Sequence, residues 1–263
     1  MFLGGEGMEV ILNINNLKYK NLFNDLNLHI EKCKLTTIAG GNNVGKTTLA
    51  RILDRRIEDD FNIILDGKNI KDYSIEEYDS KVQVVYPMEI SYLERTVQEE
   101  LYLGNSKKDK IEYVLKRTRL DKLRTKEVQK LTPKEIITLQ ITKAIIKSQE
   151  IIILDNIDYY FTREELREIY DLLRRCVNKW DLTFLILTTS LTEALLTDET
   201  YILSEGKTIL KGEALTVLEK DNVINKAGLN IPFMIDLSVK LRDYELIEKI
   251  ELYQQRLIDT LWK

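Results

Sequence analysis

Gly40-Gly41-Asn42-Asn43-Val44-Gly45-Lys46-Thr47-Thr48 follows the apolar run Leu35 to Ala39 and opens onto Leu49-Ala50-Arg51-Ile52-Leu53, a helical pattern. Gly40, Gly45, Lys46 and Thr47 meet the pattern G-x-x-x-x-G-K-[ST] of a phosphate-binding P-loop, in the strand, loop and helix context that confirms such a match. The chemistry accounts for the spacing. Gly40 and Gly45 permit backbone angles that a side chain would forbid, so the N–H groups of the loop, through Asn42, Asn43 and Val44, can turn inward on a polyphosphate. A helix starting near Lys46, Thr47 and Thr48 aims its positive dipole end at the same anion. Lys46 would reach the terminal phosphates, and the Thr47 hydroxyl would ligate Mg²⁺.

Outward from this loop, bulk properties set limits. The chain has 263 residues, 44% of them hydrophobic, enough for a packed core. A net charge of -4 arises from interspersed acids and bases, which offers no basic surface for nucleic acid. Even Ile151-Ile152-Ile153-Leu154 is strand-sized, so any membrane role is peripheral. Cys33 and Cys176 lack metal-like spacing and suit a reducing cytosol. Residues 1–7 lack the basic flank and apolar core of a signal peptide and are expected to form a disordered leader. Gly4-Gly5-Glu6-Gly7 is also what a purine-rich ribosome-binding site encodes when translated, making Met8 the expected start.

In chain order, Val10 to Tyr19 and Leu22 to Ile30 show the period-two alternation of half-buried antiparallel strands. Tyr19 lies upstream of the loop, where its ring either stacks on an adenine held there or serves as a strand-edge tyrosine. Phe61 to Leu65, backed by Asp66-Gly67, reads as a strand entering a hairpin turn. Lys81 to Tyr86 reads as another strand, ended by Pro87. From about Thr96 to Ser148 the texture is helical, with Val97 to Leu101, Ile111 to Thr118, and Pro133 to Lys147 capped by Thr132. A helical subdomain over about 90–148 is thereby inserted into an α/β core.

Ile151 to Asp155 has the all-apolar character of a central parallel strand and ends in a carboxylate. Ligands bind at the C-terminal edge of such sheets, so Asp155 is placed to meet the Mg²⁺ of the P-loop site as a Walker B aspartate. A helix from Arg163 to Cys176, a strand from Thr183 to Leu187, a short helix near Glu193 and a hairpin at Glu205-Gly206-Lys207 follow. The tail from Pro232 to Lys263 reads as amphipathic helices, whose apolar face docks either on its own core or on a second subunit.

These parts, in this order, resemble the nucleotide-binding cassette of ABC transporters over residues 8–230. Glu193-Ala194 and the hairpin Ser204 to Leu210 add to the match. Ile231-Pro232-Phe233 with Leu237, Lys240 and Leu241 is similar to the C-terminal helical extension of energy-coupling factor (ECF) ATPases, here 231–263. The resemblance implies an α/β P-loop NTPase with an antiparallel β subdomain, an inserted helical subdomain and a C-terminal helical extension. It implies ATP and Mg²⁺ as cofactors, with a second ABC ATPase subunit, in a heterodimer, and a transmembrane transporter subunit as partners. It places the chain in the cytoplasm against the inner face of the cell membrane, with residues near Ser91 to Val97 touching the membrane subunit.

Departures from the family pattern fall on the catalytic positions. Leu131-Thr132-Pro133-Lys134-Glu135 stands where the family carries Leu-Ser-Gly-Gly-Gln, and Pro133 has no N–H to offer a phosphate. Asn156 replaces the glutamate that polarises the attacking water; an amide orients water but cannot accept its proton. Thr189 stands at the switch-histidine position, Tyr86 at the Q-loop glutamine that would join Thr47 and Asp155 at the metal, and Asn43 at the third loop glycine. The segment Tyr159-Tyr160-Phe161-Thr162 lacks the D-loop aspartate.

The resulting expectation is an ATP-binding subunit of an ECF-like importer that binds Mg-ATP and couples cassette closure to a membrane partner, with weak or no hydrolysis of its own. Whether the chain is itself an ATPase stays open. Its alternatives are a pseudo-ATPase scaffold of an ABC assembly and a soluble ABC protein without a membrane partner.

Overall fold

The N-terminal alternation becomes a bent ribbon: β1 (Val10–Tyr19) and β2 (Phe23–Glu31) pair antiparallel, Leu12 opposite Ile30 and Ile14 opposite Leu28. This computed structural model describes residues 9–87, 89, 95–103, 108–148 and 150–262. The expected leader, the expected start at Met8, and residues 91–94 of the expected membrane contact lie outside them.

The chain next enters β3 (Leu35–Gly40) and, after the glycine-rich loop, α1 (Lys46–Leu53). It returns to the first sheet as the hairpin β4 (Ile63–Leu65) and β5 (Lys68–Asn69), order β2-β1-β4-β5. Asp66 and Gly67 both have positive φ, 48° and 76°, the geometry a tight two-residue hairpin demands. The helix α2 (Ile75–Lys81) precedes β6 (Val82–Val85), so Lys81 belongs to a helix, not to the expected strand. Ser74 starts that helix by accepting a bond from the Glu77 N–H.

Three helices follow: α3 (Val97–Tyr102), α4 (Lys108–Thr118) and α5 (Pro133–Lys147). Then come β7 (Ile151–Asp155), α6 (Arg163–Trp180), β8 (Thr183–Thr188) and the antiparallel pair β9 (Glu199–Ser204) and β10 (Lys207–Gly212). α6 outruns its expected end at Cys176 because the terminating residue is Asp181, left-handed at φ 54°. The second sheet has the order β10-β9-β3-β8-β7-β6, parallel from β9 to β6.

Packing explains the layers. Leu49, Ala50, Ile52 and Leu53 of α1 share one cluster with Ile14 and Leu28 of the ribbon and with Ile153 and Leu185 of the parallel sheet, so α1 is held between the sheets. On the other face, Ile141 and Ile145 of α5 join Leu173 of α6 and Phe184 of β8. A separate cluster unites Val97, Leu101, Ile111, Leu115, Leu139 and Ile146. α5 therefore presents one stripe to the sheet and another to the helices, which ties the insert to the core.

The short helices α7 (Ala214–Leu218) and α8 (Asp221–Lys226) lead to the tail, α9 (Phe233–Asp243) and α10 (Gln254–Leu261). Ile235 and Val239 of α9 pack with Ala39, Ile202, Leu218 and Ile224, so this helix docks on its own core. Phe233, Leu246, Tyr253 and Trp262 remain exposed.

Candidate functional site

Five parallel strands, β9, β3, β8, β7 and β6, deliver their C-terminal ends to one edge. Register sets Ala39 beside Thr188 and Leu187 beside Asp155, so β8 separates the P-loop strand from the strand carrying the carboxylate. A cleft of about 860 Å³ opens there. It is lined by Asn42, Asn43, Gly45, Lys46, Thr47 and Thr48 from the loop and α1, by Asp155, Asn156 and Asp158 after β7, and by Tyr86 and Thr189 after β6 and β8.

The loop is built by local backbone chemistry. Gly45 sits at φ 102°, and a Cβ there would lie 2.7 Å from the Phe23 ring. Gly40 has no room either, since a Cβ would come within 2.6 Å of Val44 Cγ2. Asn43 takes the left-handed region at φ 62°, a conformation asparagine tolerates better than most residues, so replacing a loop glycine here leaves the turn intact. Gly45 ends the loop as the α1 N-cap with no side-chain cap, which leaves the first-turn amides aimed at the cleft. Gly40 and Val44 shape the cradle without lining it.

Lys46 is buried and its ammonium donates to the Gly40 carbonyl at 2.7 Å and the Gly41 carbonyl at 2.9 Å. Burial pulls its pKa down, while the carboxylates of Asp155 and Asp158 oppose that shift. Asp155 is likewise buried, which pushes its carboxyl up; the Thr47 hydroxyl bonded to it and the Lys46 charge pull it back. The Asn156 amide donates to Asp155 Oδ1 at 3.0 Å, from a backbone at φ 49° whose N–H is held by the Leu187 carbonyl at 2.8 Å.

This donor set fits a magnesium nucleotide. Loop amides and a lysine are suited to phosphate oxygens, and a hydroxyl and a carboxylate already in contact are the hard oxygen donors Mg²⁺ takes. Among the described residues no cluster of three His, Cys, Asp or Glu forms an all-protein metal cage.

Comparison with known proteins decides the family. The family described as "ABC transporter" matches residues 23–158, slightly more than half of the chain. The chain belongs to this family. It is 26% identical over 262 residues to the energy-coupling factor transporter ATP-binding protein EcfA of Pediococcus pentosaceus, covering 93% of this chain and 94% of that protein. It is 24% identical to EcfA1 of Mycoplasma mobile, over 89% and 92% of the two chains. Among solved structures, cbiO1 of Clostridium perfringens, described as part of the ABC transporter complex cbiONQ, superposes with a TM-score of 0.71 at 24% identity, over 87% of this chain and 98% of that one.

The remaining positions of this ABC chain are placed as follows. Tyr19 is not among the residues lining the cleft; its ring meets Phe61 edge-on at 6.0 Å, and Leu22 from the same turn lines the cleft instead. Tyr86 lines the cleft, but burial and the Asp54 carboxylate push its phenol far above its usual range, so it presents a neutral hydroxyl. The Arg56 guanidinium covers its ring at 4.6 Å. Thr189 is exposed at the rim. Thr132 caps α5 in a reciprocal box with Glu135, and Lys134 donates to Glu165 of α6 at 2.6 Å. Asp158 and Glu89 are cleft carboxylates that motif reading passed over, because neither occupies a position the family pattern names. Glu89 is engaged by Arg56 and, at 3.4 Å, Arg51.

Proposed function

We propose that this chain is the ATP-binding subunit of an ECF-like importer, binding Mg-ATP in the cleft and passing cassette closure to a membrane partner, with slow hydrolysis of its own. The observation that carries this reading is the contact set around Lys46, Thr47 and Asp155 beside an amide at position 156. Lys46 and the loop amides hold phosphate oxygens; Thr47 and Asp155 hold the metal, which when bound neutralises charge on the phosphates. Asn156 fixes the Asp155 carboxylate and takes no proton.

Similarity to proteins named energy-coupling factor transporter ATP-binding protein, and to one described as part of an ABC transporter complex, supports a membrane partner and a second cassette. No helix among the described residues is long and apolar enough to cross a membrane, consistent with peripheral attachment through a partner. We assign residues 8–230 to the cassette and 231–263 to its helical extension. The exchanged residues Asn156 and Thr189 favour a second reading, in which ATP binding only stabilises the assembly. Transport and subunit-dissociation assays of the assembly with Lys46→Ala separate the two: coupling predicts that transport falls, and scaffolding predicts that it persists while the complex dissociates more readily. Calorimetry that finds no Mg-dependent affinity for ATP would overturn both.

A further inference from the structure

Position 156 offers no proton acceptor, yet the cleft contains a carboxylate two residues further on. Three carboxylates line it among the described residues: Glu89, Asp155 and Asp158. Glu89 is tied to two arginines, and Asp155 is taken by Thr47 and Asn156. Asp158 forms none of the ion pairs within 4.0 Å among the described residues, and its charge acts on the Lys46 ammonium, which lines the same cleft.

Its setting is ordered. Asp158 begins a single 3₁₀ turn, Asp158–Tyr160, closed by Tyr160 N–H donating to the Ile157 carbonyl at 3.2 Å. The Thr188 hydroxyl at the end of β8 bonds its side chain and in turn accepts from the Ser190 N–H at 2.8 Å. One side of the carboxylate is thus anchored to β8, between the P-loop strand and β7. Burial raises its pKa, which makes it a stronger base than an exposed aspartate.

We propose that Asp158 is the catalytic carboxylate of this site, standing in for the missing acid at position 156. The inference rests on the Mg-ATP reading above. In the step it serves, a water oxygen bonds to the γ-phosphorus while its proton passes to Asp158. The bond from that phosphorus to the β,γ-bridging oxygen breaks, its electron pair stays on ADP, and Asp158 releases the proton to solvent. Asn156 and Lys46 orient the groups on either side.

The full-length chain is tested in single-turnover ATP cleavage with protein in excess, alongside calorimetry with Mg-ATP and with Mg-ADP-aluminium fluoride, a mimic of the transition state. Asp158→Asn is expected to slow cleavage about 10²-fold or more, the usual effect of losing a general base. It should weaken aluminium fluoride complex formation, leave Mg-ATP affinity unchanged, and be rescued in part by Asp158→Glu. Cleavage by Asp158→Asn at the parent rate would overturn the proposal, as would a parent rate no higher than that of Lys46→Ala. Loss of Mg-ATP affinity in Asp158→Asn would assign the residue a structural role instead. If the parent chain itself fails to bind Mg-ATP, it is the underlying reading that falls.

Discussion

The Lys46 ammonium is bonded to two carbonyls of its own loop, which spares a buried cation from lying unpaired and holds it where phosphate oxygens would replace them. Lys46→Ala removes a charge-assisted donor worth about 1.5–3 kcal/mol, so Mg-ATP affinity should fall about 10- to 150-fold by calorimetry. Asp155→Asn should reduce affinity for Mg-ATP while sparing that for ATP measured in chelator, since the carboxylate acts through the metal. Lys46 and Thr47 were legible in the sequence because the chemistry of the loop fixes their spacing, and Asp155 because it ends an all-apolar strand. Asp158 was not, since its place in the cleft depends on a turn and on a hydroxyl from β8. The expected stacking of Tyr19 rested on sequence distance from the loop, whereas in the structure that ring packs edge-on against Phe61.

At the scale of elements, α5 shows how a departure from the family signature keeps its structural half. Pro133 fits the first helical position, where no N–H is needed, and Thr132 and Glu135 satisfy each other's backbone amides. Thr132→Ala should therefore cost about 1 kcal/mol in denaturant unfolding. In the same insert, Arg124 and Tyr102 bond Glu112 and hold its carboxyl down at about 2. A depressed carboxylate stabilises the fold above its unfolded pKa and loses that contribution as pH falls through the folded value. Parent and Arg124→Gln stabilities should differ at neutral pH and converge between about pH 4.3 and 2, by a modest amount because the pair is partly exposed. The 15-residue α5 was readable from its helical texture and its cap, and β7 from its unbroken apolar run. α2, α7 and α8 were not, being only 7, 5 and 6 residues long; the equally short α3 was read because it lies within a longer helical stretch.

Over the whole molecule, the nucleotide cleft and the sheet core share strands, so ligand binding should be felt far from the loop. Cys176 reports on this. It is fully buried on α6 among Leu173 and Phe184, and burial pushes its thiol up to about 12, whereas Cys33 is exposed in the turn between β2 and β3. A thiol reagent should modify one cysteine in the folded chain, Cys33, and reach Cys176 only when α6 leaves the sheet. Mg-ATP at 100 times its dissociation constant stabilises the native state by about 2.7 kcal/mol, which should slow Cys176 labelling about 100-fold when opening equilibrates faster than modification. In Lys46→Ala the same nucleotide concentration should protect far less. Mass spectrometry of the labelled chain reads both sites at once; protection of Cys176 equal in parent and variant would mean that α6 opens without disturbing the P-loop, and that β8 does not couple the two faces of the sheet.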